Sequence, residues 1–174
     1  GSESFYRMEA VVRECYGYQH VIPTHQGRGA EHILSQVTIQ KGDVVPGNMY
    51  FTTTRLHQEL AGGRFVDVVI AEAHDPESPF PFKGNVDLEK LEAVLRENPA
   101  RVPYVCVAAT VNMAGGQPIS MENLRAVRTL THRYGVKVFL DATRIAENAF
   151  LIQEQEPGYQ GNTVAEIVRE ICNL

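Results

Sequence analysis

Hydrophobic and polar positions along the chain predict helices and short strands that follow one another in turn. Phe5, Met8, Val11 and Val12 recur at helical spacing, which predicts an amphipathic helix that ends near Gly17. Further helices are predicted over residues 27–38, 53–60, 87–96, 120–134, 145–155 and 163–172, and strands over residues 21–24, 48–51, 65–70, 102–110 and 136–140. This alternation predicts an α/β fold with right-handed crossovers and a mostly parallel sheet flanked by helices.

Glycine, proline and short polar residues mark the boundaries between these elements. Pro46-Gly47 is predicted to be a turn, and residues 74–83, which contain three prolines, are predicted to be a loop. Asp87 stands where an acidic residue caps the start of a helix. The last predicted helix reaches the end of the sequence with no strand after it, which indicates a piece of a larger protein.

Composition narrows the class of protein. The chain has 174 residues, 44% of them hydrophobic and 21% charged, which is enough for a single domain with its own core. A net charge of −5 argues against nucleic acid as the main partner. Since no run of about 18 apolar residues occurs, no membrane span is expected, and no secretory signal is visible.

Cysteine and histidine usage points to the cytoplasm and away from a metal site. The three cysteines, Cys15, Cys106 and Cys172, have no CxxC spacing, which predicts buried free thiols in a reducing compartment. The six histidines lack the spacing of zinc ligands, so no metal site is expected.

Gln26-Gly27-Arg28, between an apolar run and a predicted helix, is the first candidate for chemistry. Gly27 and Gly29 allow the backbone to approach a ligand closely. The free N–H groups of the first helical turn, with the helix dipole behind them, favour an anion such as a phosphate group. Taken alone, a glycine pair at this place is more often an ordinary turn before a helix.

Further candidates are predicted at the carboxyl ends of strands, where open α/β sheets bind ligands. Asp141 either pairs with a protonated ring nitrogen or caps the following helix. Arg144 either reaches a cofactor oxygen or forms a local ion pair. Phe51 either stacks on a ring or joins the core, and Asn112 either donates to a phenolic oxygen or occupies a turn. Together with Gln26-Gly27-Arg28, they predict a site for a phosphorylated, nitrogen-containing cofactor.

Four longer segments carry a resemblance to a known family. They are PTHQGRGAE at residues 23–31, FKG at 82–84, NMAGGQP at 112–118 and DATRIAENA at 141–149. On these motifs the chain resembles the β-eliminating lyases, the family of tyrosine phenol-lyase and tryptophanase, over essentially its whole length. The resemblance implies part of the large domain of a fold-type-I, aspartate aminotransferase-like enzyme that uses pyridoxal 5′-phosphate.

The resemblance also implies a role for each candidate residue and a set of partners. Gln26, Gly27 and Arg28 would hold the phosphate, Phe51 would stack on the pyridine ring, Asn112 and Arg144 would meet its phenolic oxygen, and Asp141 would pair with its nitrogen. Enzymes of this family are homotetramers activated by a monovalent cation, usually potassium, whose ligands are not expected within this chain.

The segment GNMYFTTTR at residues 47–55 implies the substrate. It resembles tyrosine phenol-lyases, which release phenol, pyruvate and ammonia from tyrosine. Tryptophanases usually carry an aspartate where Thr52 stands, so a catalytic role with a phenol leaving group is expected for Thr52. The alternative is that Thr52 caps the next helix. The alternative substrate is tryptophan.

One departure from the family bears on activity. Members carry a Schiff-base lysine in a Ser-x-Lys-Lys segment, whereas the lysines here, Lys41, Lys83, Lys90 and Lys137, lie in no such segment. The resemblance therefore predicts that residues 1–174 form one partial domain, which lacks the small domain and the Schiff-base lysine segment. The chain is expected to be inactive on its own. A non-catalytic binding or assembly module of the same fold is the alternative. A Rossmann-type nucleotide binder is disfavoured because no G-x-G-x-x-G follows the first predicted strand.

Overall fold

Helices surround a four-stranded parallel sheet in the computed structural model, which describes residues 2–174. The helices are α1 (Glu3–Tyr16), α2 (Gly27–Thr38), α3 (Thr52–Leu60), α4 (Leu88–Glu97), α5 (Met121–Arg133), α6 (Ile145–Gln155) and α7 (Val164–Cys172), and the strands are β1 (Val44–Gly47), β2 (Arg64–Asp67), β3 (Tyr104–Ala108) and β4 (Lys137–Asp141). The strand order is β2-β1-β3-β4, and neighbouring strands run parallel. The predicted α/β architecture is confirmed.

The sheet is covered by helices on both faces, which explains the continuous apolar run in β3. On one face Val105 and Val107, both fully buried, pack with residues from α4, α5, α6 and α7. On the other face Tyr104 and Cys106 pack with Ile39 at the end of α2. Burial on two sides leaves no polar position along the strand, so functional side chains must come from its end.

Side-chain caps fix the starts of α4 and α7. The Asp87 carboxylate accepts hydrogen bonds from the N–H groups of Glu89 and Lys90, so the predicted acidic cap of α4 is confirmed. Thr163 and Glu166 form a reciprocal capping box at α7. Helix α6 begins and ends at the predicted residues, 145 and 155.

Two predicted strands are wrong. Residues 21–24 form no strand, because a strand needs a hydrogen-bonded neighbour and no described strand lies beside them. Residues 48–51 form none either, since the strand lies earlier, in β1, and includes the Pro46-Gly47 pair predicted as a turn. Proline has no N–H to donate, and the ladder between β1 and β3 is reduced to the single pair Gly47–Cys106.

The prediction that all three cysteines are buried is also wrong. Cys106 is buried and Cys172 is half-buried, but Cys15 is exposed. Cys15 lies on α1, a helix with no buried residue, because α1 packs at the surface mainly against α7. Among the described residues, no helix is both long and apolar enough to cross a membrane.

Gly84 allows two of the sequence motifs to pack backbone against backbone. Its N–H donates to Pro118 O at 2.9 Å. A Cβ atom at Gly84 would lie 2.6 Å from Gln117 O and 2.7 Å from Pro118 O, closer than van der Waals contact permits. The contact joins the loop before α4 to the loop before α5.

We expect Gly84→Ala to lower the free energy of unfolding by about 1–3 kcal/mol, because backbone atoms cannot move aside as a flexible side chain can. Urea unfolding measures the change. Gly161→Ala is the matched control, since a Cβ there meets nothing within 4 Å. Equal unfolding free energies for the two variants would contradict this account of the contact.

Candidate functional site

A cavity opens at the carboxyl edge of the sheet, where three chain segments leave β1, β3 and β4. Its lining residues are Met49, Tyr50 and Phe51 after β1, Ala108, Thr110, Val111 and Asn112 at and after β3, and Asp141, Thr143 and Arg144 at and after β4. The structure thus brings Phe51, Asn112, Asp141 and Arg144 together, as predicted from their positions at strand ends. The shared edge follows from the parallel direction of the strands.

Asp141 is the last residue of β4 and lies opposite Ala108, the last residue of β3. Its Oδ1 accepts hydrogen bonds from Thr143 N at 3.1 Å and from Thr143 Oγ1 at 2.6 Å. Arg144, not Asp141, occupies the N-cap position of α6. Asp141 therefore closes the turn at Thr143 with one carboxylate oxygen, while the other accepts no hydrogen bond within residues 2–174.

Arg144 supplies positive charge to the cavity. Across the described residues, its guanidinium forms no salt bridge within 4.0 Å, so the local ion pair with Asp141 or Glu147 does not occur. A Cβ atom at Gly116 would lie 3.7 Å from Arg144 Nη1, which places the guanidinium beside the 112–118 motif that contains Asn112. The charged group is thereby available to a ligand.

The buried side-chain amide of Asn48 fixes the segment that carries Phe51 by hydrogen bonds. Asn48 is fully buried, and its Nδ2 donates to Gly84 O at 2.9 Å and to Ala108 O at 3.0 Å. Its Oδ1 accepts from Ala108 N at 2.8 Å. These bonds tie the end of β1 to the end of β3, which fixes the distance between the two sides of the cavity.

Met49, the next residue, has a left-handed backbone with φ of 66°, a conformation that costs a non-glycine residue free energy. The Asp67 carboxylate accepts from both Met49 N at 3.1 Å and Val69 N at 2.9 Å, and so holds this bend. The sequence predicted a role for neither Asn48 nor Asp67. A usable signal for Asn48 was its position as a polar residue directly after the apolar run of β1.

The predicted phosphate-binding segment, Gln26-Gly27-Arg28, lies at the start of α2. Gln26 is the N-cap residue and forms no side-chain cap, so the first N–H groups of the helix are left to a ligand. A Cβ atom at Gly27 or at Gly29 would meet nothing within 4 Å, so the approach is open. Gly27 lines an apolar groove of about 690 Å³ that also contains Asp141 and Thr143.

Three predicted site residues stay outside both the cavity and the groove. Gln26 and Arg28 are exposed beside Gly27 and line neither hollow. Thr52 is exposed at the first position of α3 and does not line the cavity, although its neighbour Phe51 does.

Cys106 lies behind the site but is not a nucleophile. Burial, with a smaller contribution from the Asp141 charge, raises the pKa of its thiol to about 12. The thiol therefore stays protonated at neutral pH and acts as a core side chain. In the part of the chain that the structure describes, no three His, Cys, Asp or Glu side chains are grouped to hold a metal ion.

Comparison with known proteins agrees with these features. The family model described as Beta-eliminating lyase matches residues 1–174. The chain belongs to the β-eliminating lyase family. The tyrosine phenol-lyase of Nostoc punctiforme is 62% identical and that of Symbiobacterium thermophilum 59% identical, each over 174 residues and 99% of this chain. This β-eliminating lyase chain spans only 37% and 38% of those two proteins.

Solved structures of low sequence identity share the fold. The PLP-bound C-S lyase from Staphylococcus hominis has a TM-score of 0.60 at 12% identity, covering 80% of this chain and 34% of that one. An archaeal alanine:glyoxylate aminotransferase has a TM-score of 0.59 at 23% identity, covering 79% of this chain and 33% of that one. The predicted fold-type-I architecture of this family member is confirmed.

We expect Asn48→Leu to lower the free energy of unfolding by about 2–4 kcal/mol, because buried backbone groups lose their partners. Urea denaturation measures the loss. The control is Asn162→Leu, whose side chain is half-buried without a hydrogen bond among residues 2–174. A loss at Asn48 no larger than at Asn162 would show that the amide does not hold the loop.

Proposed function

We propose that this chain is the cofactor-binding part of a longer lyase that removes the aromatic group of an amino acid with pyridoxal 5′-phosphate. Its preferred reaction converts tyrosine to phenol, pyruvate and ammonia. The observation that carries the proposal is the meeting of Phe51, Asn112, Asp141 and Arg144 in one cavity. The high identity to proteins named tyrosine phenol-lyase supports the choice of reaction.

The residues present fit the proposed cofactor. A free carboxylate oxygen on Asp141 suits a protonated ring nitrogen, and Phe51 supplies an aromatic face. The amide of Asn112 and the unpaired guanidinium of Arg144 suit an anionic ring oxygen. Gln26, Gly27 and Arg28 would take the phosphate at the start of α2. When bound, the cofactor supplies an electron sink for the pair left at the substrate's α-carbon.

Each residue then has a definite task. Asp141 holds the proton on the ring nitrogen, since a carboxylate beside a cation stabilises the charged form. Arg144 and Asn112 would hold the ring oxygen and stabilise the negative charge on it. Phe51 covers one ring face and excludes water from it.

The assembly and location of the longer protein belong to the same proposal. It forms a homotetramer in the cytoplasm and is activated by potassium, whose ligands lie outside these residues. The absence of any CxxC pair is consistent with a reducing compartment.

Tryptophan cleavage is the second candidate reaction, and Thr52 distinguishes it. In the full-length lyase we expect a clear preference for tyrosine over tryptophan in kcat/KM. Thr52→Asp should lower kcat/KM for tyrosine at least about tenfold, since a carboxylate would replace the neutral hydroxyl that is expected to suit the phenol oxygen. Steady-state assays on both amino acids measure the preference.

Thr53→Asp is the control, because it adds the same charge to the same helical turn of α3. Equal losses for the two variants would show a general charge effect. A wild-type preference for tryptophan would overturn the choice of substrate.

A non-catalytic module is the remaining alternative, and lysine chemistry tests the fragment. None of the lysines lines the cavity, and Lys83 Nζ already donates to Asp75 O at 2.9 Å. We expect pyridoxal 5′-phosphate and borohydride to leave no stoichiometric label on the 174-residue chain, while the full-length enzyme is labelled at one lysine. Peptide mass mapping reads the result. Full labelling of a single lysine within residues 1–174 would contradict it, and an unlabelled full-length protein would favour the module.

Asp141→Asn tests the role of the carboxylate. In the full-length enzyme, turnover should fall by orders of magnitude, because about 1.4 kcal/mol of added barrier costs tenfold in rate. The melting temperature should change little, because asparagine keeps an oxygen for Thr143. Asp87→Asn, at the cap of α4, is the control and should change neither quantity much. Near-normal turnover of the Asp141 variant would show that Asp141 only stabilises the turn at Thr143 and does not act on the cofactor.

A further inference from the structure

Thr110 carries a buried hydroxyl that nothing in the described chain satisfies. The residue is 7% exposed, and its Oγ1 has no hydrogen-bond partner within residues 2–174. The other buried side-chain atoms in this state, Glu31 Oε2 and Gln58 Oε1, belong to residues that do not line the cavity, whereas Thr110 does. An unpaired hydroxyl in a buried place costs free energy, so its presence at a binding site needs an explanation.

The backbone on either side of Thr110 is anchored. Ala109 N donates to Asp141 O at 3.0 Å, and Val111 N donates to Gln117 O at 2.8 Å. Val111 O in turn accepts from Gly116 N at 3.0 Å. The backbone of Thr110 is therefore held in place beside the cavity, and no hydrogen-bond partner for the hydroxyl lies within residues 2–174.

The hydroxyl lies beside the charged group of the site. A Cβ atom at Gly116 would lie 3.9 Å from Thr110 Oγ1 and 3.7 Å from Arg144 Nη1, so both groups border the same point. Gly116 has φ of 78° and no side chain, which leaves this point open. Thr110 and Arg144 therefore approach a ligand from adjacent directions.

We propose that the Thr110 hydroxyl is a further cofactor-binding group, which donates a hydrogen bond to the same anionic ring oxygen as Asn112 and Arg144. The inference rests on the proposed function. A hydroxyl bond to an anionic oxygen is charge-assisted and stronger than a neutral one. The ring oxygen would then satisfy the hydroxyl, and the hydrogen bond would help to orient the ring.

The test compares Thr110→Val, which removes the hydroxyl at similar volume, with Thr110→Ser, which keeps it. Full-length apoenzyme is titrated with pyridoxal 5′-phosphate and with its 3-deoxy analogue, which lacks the ring oxygen. We expect Thr110→Val to raise the Kd for pyridoxal 5′-phosphate about tenfold and that for the analogue less than about twofold. Thr110→Ser should restore most of the affinity for pyridoxal 5′-phosphate.

The melting temperature of the apoenzyme provides a second readout. Because the hydroxyl has no partner in the chain, Thr110→Val should leave it unchanged or raise it. A marked fall would assign Thr110 a structural role and overturn the inference. An equal rise in Kd for both cofactors would show that the hydroxyl does not contact the ring oxygen. Unchanged Kd values would show that the hydroxyl does not bind the cofactor. Either result would overturn the inference. If the wild-type enzyme binds neither cofactor, the proposed function falls as well.

Discussion

The parallel pairing of β3 with β4 is the interaction on which the candidate site depends. It sets Ala108 opposite Asp141, and Ala109 N continues the ladder by donating to Asp141 O at 3.0 Å. Because both strands end here, the chain leaves toward Asn112 on one side and toward Arg144 on the other. A slip of one residue would turn the Asp141 side chain to the opposite face of the sheet. The register therefore sets which residues leave the sheet edge beside one another, and it brings Asp141 to the same edge as Asn112 and Arg144.

Buried and half-buried asparagine side chains hold the loops around the sheet. Asn48 joins the ends of β1 and β3, and Asn148 exchanges two hydrogen bonds with the backbone of Ile119. Asn123 does the same with the backbone of Val86. An amide side chain both donates and accepts, so it replaces the ladder partner that an irregular segment lacks. The site thus lies on loops that are fixed by side-chain hydrogen bonds rather than by regular structure.

Much of this arrangement is predictable from the sequence, for a physical reason. Helix α6 begins and ends where the sequence predicts. The rule that open parallel sheets bind ligands at the carboxyl ends of their strands grouped Asp141 with Asn112 and Phe51. The elements that the sequence did not predict correctly depend on contacts with distant parts of the chain. Whether Pro46 fits a strand depends on whether a neighbouring strand needs a backbone N–H at that position, which proline lacks. Whether residues 21–24 form a strand depends on a hydrogen-bonded partner elsewhere in the chain. The burial of Thr110 has no signature in a single sequence.

We propose that Asp141 at the end of β4 anchors the ring nitrogen of pyridoxal 5′-phosphate, and a crystal structure of the full-length lyase with its cofactor would reveal this contact. We expect a charge-assisted hydrogen bond of about 2.7–2.9 Å between the Asp141 carboxylate and the pyridine nitrogen, with Phe51 over the ring face. A cofactor ring bound elsewhere, with Asp141 contacting only Thr143, would contradict it.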